Sequence, residues 1–198
     1  MGKIAGIVLA AGRSSRMEGA NKLLLPWGDK RIVQVVVEVV LAGEMDEVVV
    51  VTGHQRDEVE ELVREYPVRT VLNVDYAEGL STSVRAGVVA AAEAQGYMFA
   101  LGDMPQVQGG TVRRVVAALR TGGEGAIVVP TVERRRGNPV GVGVAYRDEL
   151  LALEGDRGAR PVVQRHKDNV MEVPVEDEGI FADVDTREAY RRIGVSSS

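Results

Sequence analysis

The chain reads as an α/β protein with three layers, α/β/α, built on a mostly parallel sheet with some antiparallel strands in its second half. Three observations predict this. Short apolar runs rich in Ile, Val and Leu recur at residues 4–11, 47–52, 97–101 and 126–130. Such runs fit strands covered on both faces, as parallel strands are. Segments with helical spacing lie between them, and strands alternating with helices imply crossover connections with helices on both faces of the sheet. From residue 133 onward the alternation loses its regularity, which places the antiparallel strands there.

The first run, Ile4-Ala5-Gly6-Ile7-Val8-Leu9-Ala10-Ala11, breaks at Gly12 into a polar loop carrying Arg13, Arg16 and Lys22. The carboxyl end of a first strand is where open α/β sheets bind ligands. Small residues let the backbone come close to a ligand and point its N–H groups at phosphate oxygens. Three cations beside those donors suit a polyphosphate; the alternative is a surface turn with solvated arginines. Residues 23–28 anchor the loop on the core, with Trp27 packing. Residues 29–41 read as the first helix, closed by Gly43. Residues 47–52 form a second strand, ending in Gly53-His54. An acidic helix spans 55–65, with Val59, Leu62 and Val63 at helical spacing. Residues 68–72 form a third strand, ending at Asn73.

Ser81, Thr82 and Ser83 open an alanine-rich helix that runs to about residue 94. A helix N-terminus preceded by glycine is an anion site, through its dipole and free N–H groups. Three hydroxyls together with Arg85 exceed what one cap needs. The fourth strand, 97–101, leads into Gly102-Asp103-Met104-Pro105. A carboxylate there either holds Mg²⁺ against a substrate phosphate or forms the turn. A helix over 110–120 and a strand over 126–130 follow. Then come a basic loop at 133–139, an alternating strand at 140–144 and a glycine- and charge-rich loop at 155–160. Pro161 opens a short helix, and a late strand spans 170–175. Residues 181–186 place Asp183 and Asp185 at a strand end. Asp185 or Thr186 caps a terminal helix over 187–193, and residues 196–198 read as a frayed end.

A length of 198 residues suits a single domain over 1–198 with a substantial core. The chain has no Cys, which excludes disulfides, thiolate zinc sites and a Cys nucleophile. His54 and His166 are too few and too isolated for a His-rich metal site, and His54 reads as structural. A net charge of −5 argues against nucleic acid as a partner. It leaves room for a nucleotide enzyme whose local loop is basic. The valine runs are too short to span a membrane, and no secretory pattern opens the chain, so a cytoplasmic protein is expected. No G-x-x-x-x-G-K-[ST], no G-x-G-x-x-G and no nucleophile elbow occurs. Five polar loops, 12–22, 73–85, 102–105, 134–139 and 181–186, follow expected strands. In a parallel sheet the first three open on one edge, which outlines a nucleoside triphosphate site.

Leu9-Ala10-Ala11-Gly12-Arg13-Ser14-Ser15-Arg16-Met17, with Lys22-Leu23-Leu24-Leu25-Pro26 after it, resembles the signature of the MobA-like nucleotidyltransferases. Gly79-Leu80-Ser81-Thr82-Ser83-Val84-Arg85-Ala86-Gly87, Gly102-Asp103-Met104-Pro105 and Gly137-Asn138-Pro139 resemble further blocks of that family. So do Gly155-Asp156-Arg157-Gly158-Ala159-Arg160 and Asp183-Val184-Asp185-Thr186. They occur in the family's order and cover nearly the whole chain. The branch most resembled is the molybdenum cofactor cytidylyltransferases, because Ala11 stands where a guanylyltransferase usually has a second Gly. Glu18 intervenes before Gly19, a departure that leaves the roles of Arg16 and Glu18 open.

The resemblance implies a Rossmann-like sheet of the nucleotide-diphospho-sugar transferase type. It also implies a reaction in which CTP and a molybdopterin-type cofactor give a cytosine dinucleotide and pyrophosphate. Leu9, Ala10, Ala11, Gly12, Arg13, Ser14 and Lys22 would hold the nucleotide, together with Asn73, Ser81, Ser83, Arg85 and Asp103. Ser81 and Ser83 would read the base edge. Lys22, Arg13 and Asp103 would be the catalytic residues. Asp103 and Asp185 would hold Mg²⁺, and Asn138, Asp156 and Arg160 would face the acceptor. The implied partners are these substrates and a molybdenum enzyme or insertion chaperone, with neither nucleic acid nor membrane. A guanylyltransferase, a cytidylyltransferase for another phosphorylated acceptor, and a non-catalytic delivery module are the competing readings.

Overall fold

Strand β1 (Ile4–Ala10) is buried over its whole length, as a strand covered on both faces must be. It belongs to a computed structural model that describes residues 2–14, 17 and 20–194. Ser15, Arg16, Glu18, Gly19 and the tail expected to fray at 196–198 lie outside the described residues. After β1 come a small hairpin, β2 (Pro26–Trp27) and β3 (Lys30–Arg31), then α1 (Ile32–Leu41), β4 (Glu47–Thr52), α2 (Arg56–Val63) and β5 (Arg69–Leu72). The middle of the chain forms α3 (Leu80–Ala90), β6 (Gly96–Leu101), α4 (Gly109–Gly122) and β7 (Ile127–Val132). The last part holds β8 (Arg135–Arg136), β9 (Val140–Gly143), α5 (Arg147–Leu151), α6 (Arg160–Arg165), β10 (Val170–Pro174) and α7 (Arg187–Gly194).

One eight-stranded sheet runs in the order β10-β7-β9-β6-β1-β4-β5, with β8 beside β7. β1 pairs in parallel with β4 and β6, and β4 with β5. β9 runs against both β6 and β7. Side chains alternate between two core layers. Val8, Ala10, Val48 and Val50 pack with α1 and α4, whereas Ile7, Leu9, Val49 and Val51 pack with α3, α5 and α6. The expected three-layer α/β/α class with its antiparallel strands in the second half is the observed one.

Three local expectations give way. The first helix begins at Ile32, not at residue 29, because Gly28 takes φ +62° and turns β2 back on β3. The α3 helix stops at Ala90, short of residue 94. Residues 181–186 do not follow a strand. A short 3₁₀ turn, Glu178–Phe181, precedes them, with Asp177 accepting from the Gly179 N–H at 3.0 Å.

Strand order positions the site. The chain steps from β1 outward through β4 to β5, then returns to place β6 on the other side of β1. The order reverses between β1 and β6, and the crevice outside the carboxyl ends of such a pair is the ligand position of open α/β sheets.

Candidate active site

The loop after β1 is built by its own polar side chains. Ser14 takes φ +52°, and its hydroxyl accepts from the Lys22 N–H at 3.1 Å. Asn21 is buried and caps the short 3₁₀ turn Lys22–Leu24 by accepting from the Leu23 N–H at 3.0 Å. These bonds fix the backbone of Lys22. Gly12 is exposed, and a Cβ built there meets nothing within 4 Å, so space in front of this backbone is open. Arg13 is exposed and lies over the Tyr76 ring at 5.5 Å, which in turn faces His54 at 6.2 Å.

Asp103 follows β6, and its carbonyl accepts from the Val184 N–H at 2.9 Å. That bond ties the 183–185 segment to the β6 edge. The Lys22 ammonium then donates to Asp103 and, at 2.6 Å, to Asp185. Lys22 and Asp103 are 14% and 15% exposed, and Asp185 is 37% exposed. Burial disfavours the charged ammonium, but Asp103 and Asp185 outweigh it and hold Lys22 above its ordinary value. Desolvation, then the charges of Asp185 and Asp103, raise the Asp183 carboxyl above the usual carboxylate range. No group of three or more acidic or imidazole side chains suited to a metal occurs among the described residues. Asp103 and Asp185 nevertheless bring two hard oxygens to one cation. That set fits Mg²⁺ or Mn²⁺, which are commonly held by one or two carboxylates and completed by substrate phosphates and water.

The structure does not present Ser81, Ser83, Asn73 or Arg85 to this crevice. Ser81 is 0% exposed, and its hydroxyl donates to the Glu154 carbonyl at 3.1 Å. Asn73 donates to Thr82 and Ser83 at 2.7 and 3.0 Å. Arg85 donates to the Leu153 carbonyl at 2.8 Å. Asp156 accepts from the Leu80 N–H at 2.9 Å, and the Gly155 carbonyl takes the Ser81 N–H. Through these bonds the 153–156 loop closes the N-terminus of α3. Gly79 is required there, since it has φ +119° and a Cβ would sit 2.5 Å from the Gly155 carbonyl oxygen.

Beside the crevice lies a cavity of about 440 Å³. Leu9, Phe99, Val129 and Val140 give it apolar walls, while Arg136, Asn138, Arg157 and Arg160 line it with donors. Asn138, Asp156 and Arg160, the residues expected to face an acceptor, all line this cavity. Tyr76 and Arg136 were not singled out by sequence. Arg136 sits in a basic run that reads as a solvated face; it lines the cavity, and its guanidinium donates to Glu172 at 2.9 Å.

Residues 6–170 match the model of the MobA-like NTP transferase domain. The chain belongs to the MobA-like NTP transferase family. It is 30% identical to a nicotine blue oxidoreductase from Paenarthrobacter nicotinovorans over 195 residues, 96% of each chain. It is 37% identical over 106 residues to a molybdenum cofactor cytidylyltransferase from Escherichia coli, covering 53% of this chain and 54% of that one. The crystal structure of Rv0371C in complex with manganese, from Mycobacterium tuberculosis, superimposes with a TM-score of 0.83 at 29% identity over 98% of this chain and 99% of the other. The crevice between β1 and β6, where Lys22, Asp103 and Asp185 meet, is the candidate site. No helix among the described residues is long and apolar enough to cross a membrane.

Proposed function

We propose that the chain transfers CMP from CTP to the terminal phosphate of a molybdopterin-type cofactor and releases pyrophosphate, with Mg²⁺ or Mn²⁺ as the metal. The observation that carries this reading is the convergence of Lys22, Asp103 and Asp185 at the mouth of the β1/β6 crevice. Support for the cytidylyl branch comes from Ala11 in the first loop and from the molybdenum cofactor cytidylyltransferase relative. The manganese complex of a structural neighbour supports a divalent cofactor.

In this account the open backbone at Gly12 and the Arg13 guanidinium hold the triphosphate. Lys22 offsets charge on the α-phosphate and on the departing pyrophosphate. Asp103 and Asp185 would hold the metal, which supplies charge neutralisation when bound. An oxygen of the acceptor phosphate attacks the α-phosphorus as the bond to the pyrophosphate oxygen breaks. That acceptor is an anion at neutral pH, so no general base is needed, and positioning with electrostatic stabilisation carries the rate. The cavity suits an acceptor with a flat, weakly polar body and an anionic end, since its walls are apolar and Arg136, Arg157 and Arg160 line it.

A second reading has its own observation. The nicotine blue oxidoreductase relative aligns along 96% of both chains, which favours redox chemistry on a small molecule in the same cavity. Thermal unfolding with Mg²⁺ and each nucleoside triphosphate in turn separates the readings. A ligand that binds only the folded state at a hundred times its Kd stabilises by roughly 2.7 kcal/mol. The transferase account expects stabilisation by CTP well above GTP. Stabilisation by GTP or ATP instead overturns the cytidylyl assignment, and none with any triphosphate favours the redox reading.

A further inference from the structure

Lys22 has a place in the site beyond its contact with phosphate. Its ammonium bonds both carboxylates that suit the metal, at Asp103 Oδ2 and Asp185 Oδ1. Ammonium and metal therefore compete for these carboxylates. Two carboxylates are a donor set that attracts a divalent ion. Yet the ammonium is 14% exposed, and stripping it of both partners leaves a poorly solvated charge without a counter-ion. Only a replacement anion beside it removes that penalty.

The surrounding geometry supplies a place for such an anion. The Lys22 N–H is held by Ser14, the Leu25 N–H bonds the Lys22 carbonyl at 3.2 Å, and Asn21 caps the same turn. The backbone is fixed, and only the four-carbon stem is left to move. The backbone of 12–14, where a triphosphate would lie, adjoins this anchor through the Ser14 hydroxyl.

We propose that Lys22 is the resident counter-cation of the Asp103–Asp185 pair, yielding its place to a divalent ion when nucleotide phosphates take up the ammonium. This deepens the transferase reading and rests on it. Lys22 then couples two ligands: the metal alone binds weakly, and nucleotide and metal strengthen one another. Coupled sites typically gain about 5–150-fold in affinity, reciprocally.

Free Mn²⁺ followed by electron paramagnetic resonance tests the proposal with the metal alone. Lys22→Met is expected to bind Mn²⁺ at least about tenfold tighter than the unaltered chain, within that range. Lys22→Arg, which keeps a cation, is expected to stay near the unaltered chain. Equal or weaker Mn²⁺ binding by Lys22→Met overturns the counter-cation role. A measurement on the unaltered chain guards against a misfolded variant. The ¹⁵N signal of the Lys22 ammonium has only Lys3, Lys30 and Lys167 as company. It is expected to hold its position with Mg²⁺ alone and to shift when a non-hydrolysable CTP analogue is added with Mg²⁺. A full shift with Mg²⁺ alone overturns the coupling. An analogue that binds nowhere defeats the transferase reading and the coupling with it, and appears separately as missing thermal stabilisation by CTP.

Discussion

Lys22 concentrates the chemistry of this protein at one atom. Its ammonium bonds two carboxylates, and its backbone N–H is held by Ser14 of the loop after β1. Removing a preorganised charge donor of this sort costs on the order of a hundred- to thousandfold in rate. Lys22→Ala and Asp103→Ala are each expected to lose at least that much pyrophosphate release, with circular dichroism unchanged. Near-normal turnover in either variant sinks the assigned role. Asp103 was legible in sequence because it follows the plain apolar run of β6 after one residue, and Lys22 because it closes the polar loop that begins after β1. The hydrogen bonds of Ser81, Ser83, Asn73 and Arg85 within the fold were less legible. Ser81 and Arg85 bond the carbonyls of Glu154 and Leu153, and a pairing some seventy residues away leaves no mark in local spacing, while Asn73 bonds Thr82 and Ser83 across the turn before α3.

Among the elements, α4 shows how a single carboxylate sets an element's position. Asp177 is buried and accepts from the Gln108 N–H at 2.9 Å, the Thr111 hydroxyl at 2.6 Å and the Gly179 N–H at 3.0 Å. It closes the N-terminus of α4 from a segment 69 residues away. Asp177→Ala is expected to lose about 2 kcal/mol or more in urea unfolding, the upper end for a lost N-cap, because the donors left behind are enclosed. A loss within about 0.5 kcal/mol, the scatter of ordinary surface changes, contradicts this. Strands β1, β4 and β6 were legible because burial on both faces demands continuous apolar runs. The start of α1 was not, since Gly28 and the Trp27–Lys30 pairing turn the chain before the helical spacing begins. Nor was the 178–181 turn, which Asp177 organises.

At the scale of the whole molecule, the order of the strands makes the site. The alternation of runs predicts a parallel sheet, but only the observed order brings β6 back beside β1 and so Asp103 beside Lys22. The molecule's response to acid follows from similar long-range bonds. The Ile4 N–H donates to Asp46 at 2.8 Å and, against the opposing effect of burial, holds its carboxyl below the ordinary value of 3.8; Arg120 adds to this at 2.9 Å. A lowered carboxylate pKa contributes stability above the unfolded value, and that contribution is lost as pH falls through the folded value. The thermal midpoints of the unaltered chain and Asp46→Asn are therefore expected to differ most above pH 5 and to converge below about 3.8. A gap that persists unchanged in acid contradicts the assignment.

The transfer reaction itself is tested most directly by incubating the chain with CTP, Mg²⁺ or Mn²⁺ and a molybdopterin-type cofactor while following pyrophosphate, with the organic product read by mass. The account predicts pyrophosphate and a cytosine dinucleotide in equal amounts, both dependent on the metal and both lost in Lys22→Ala. Binding of CTP and metal with no pyrophosphate, or turnover of a redox substrate in its place, contradicts it.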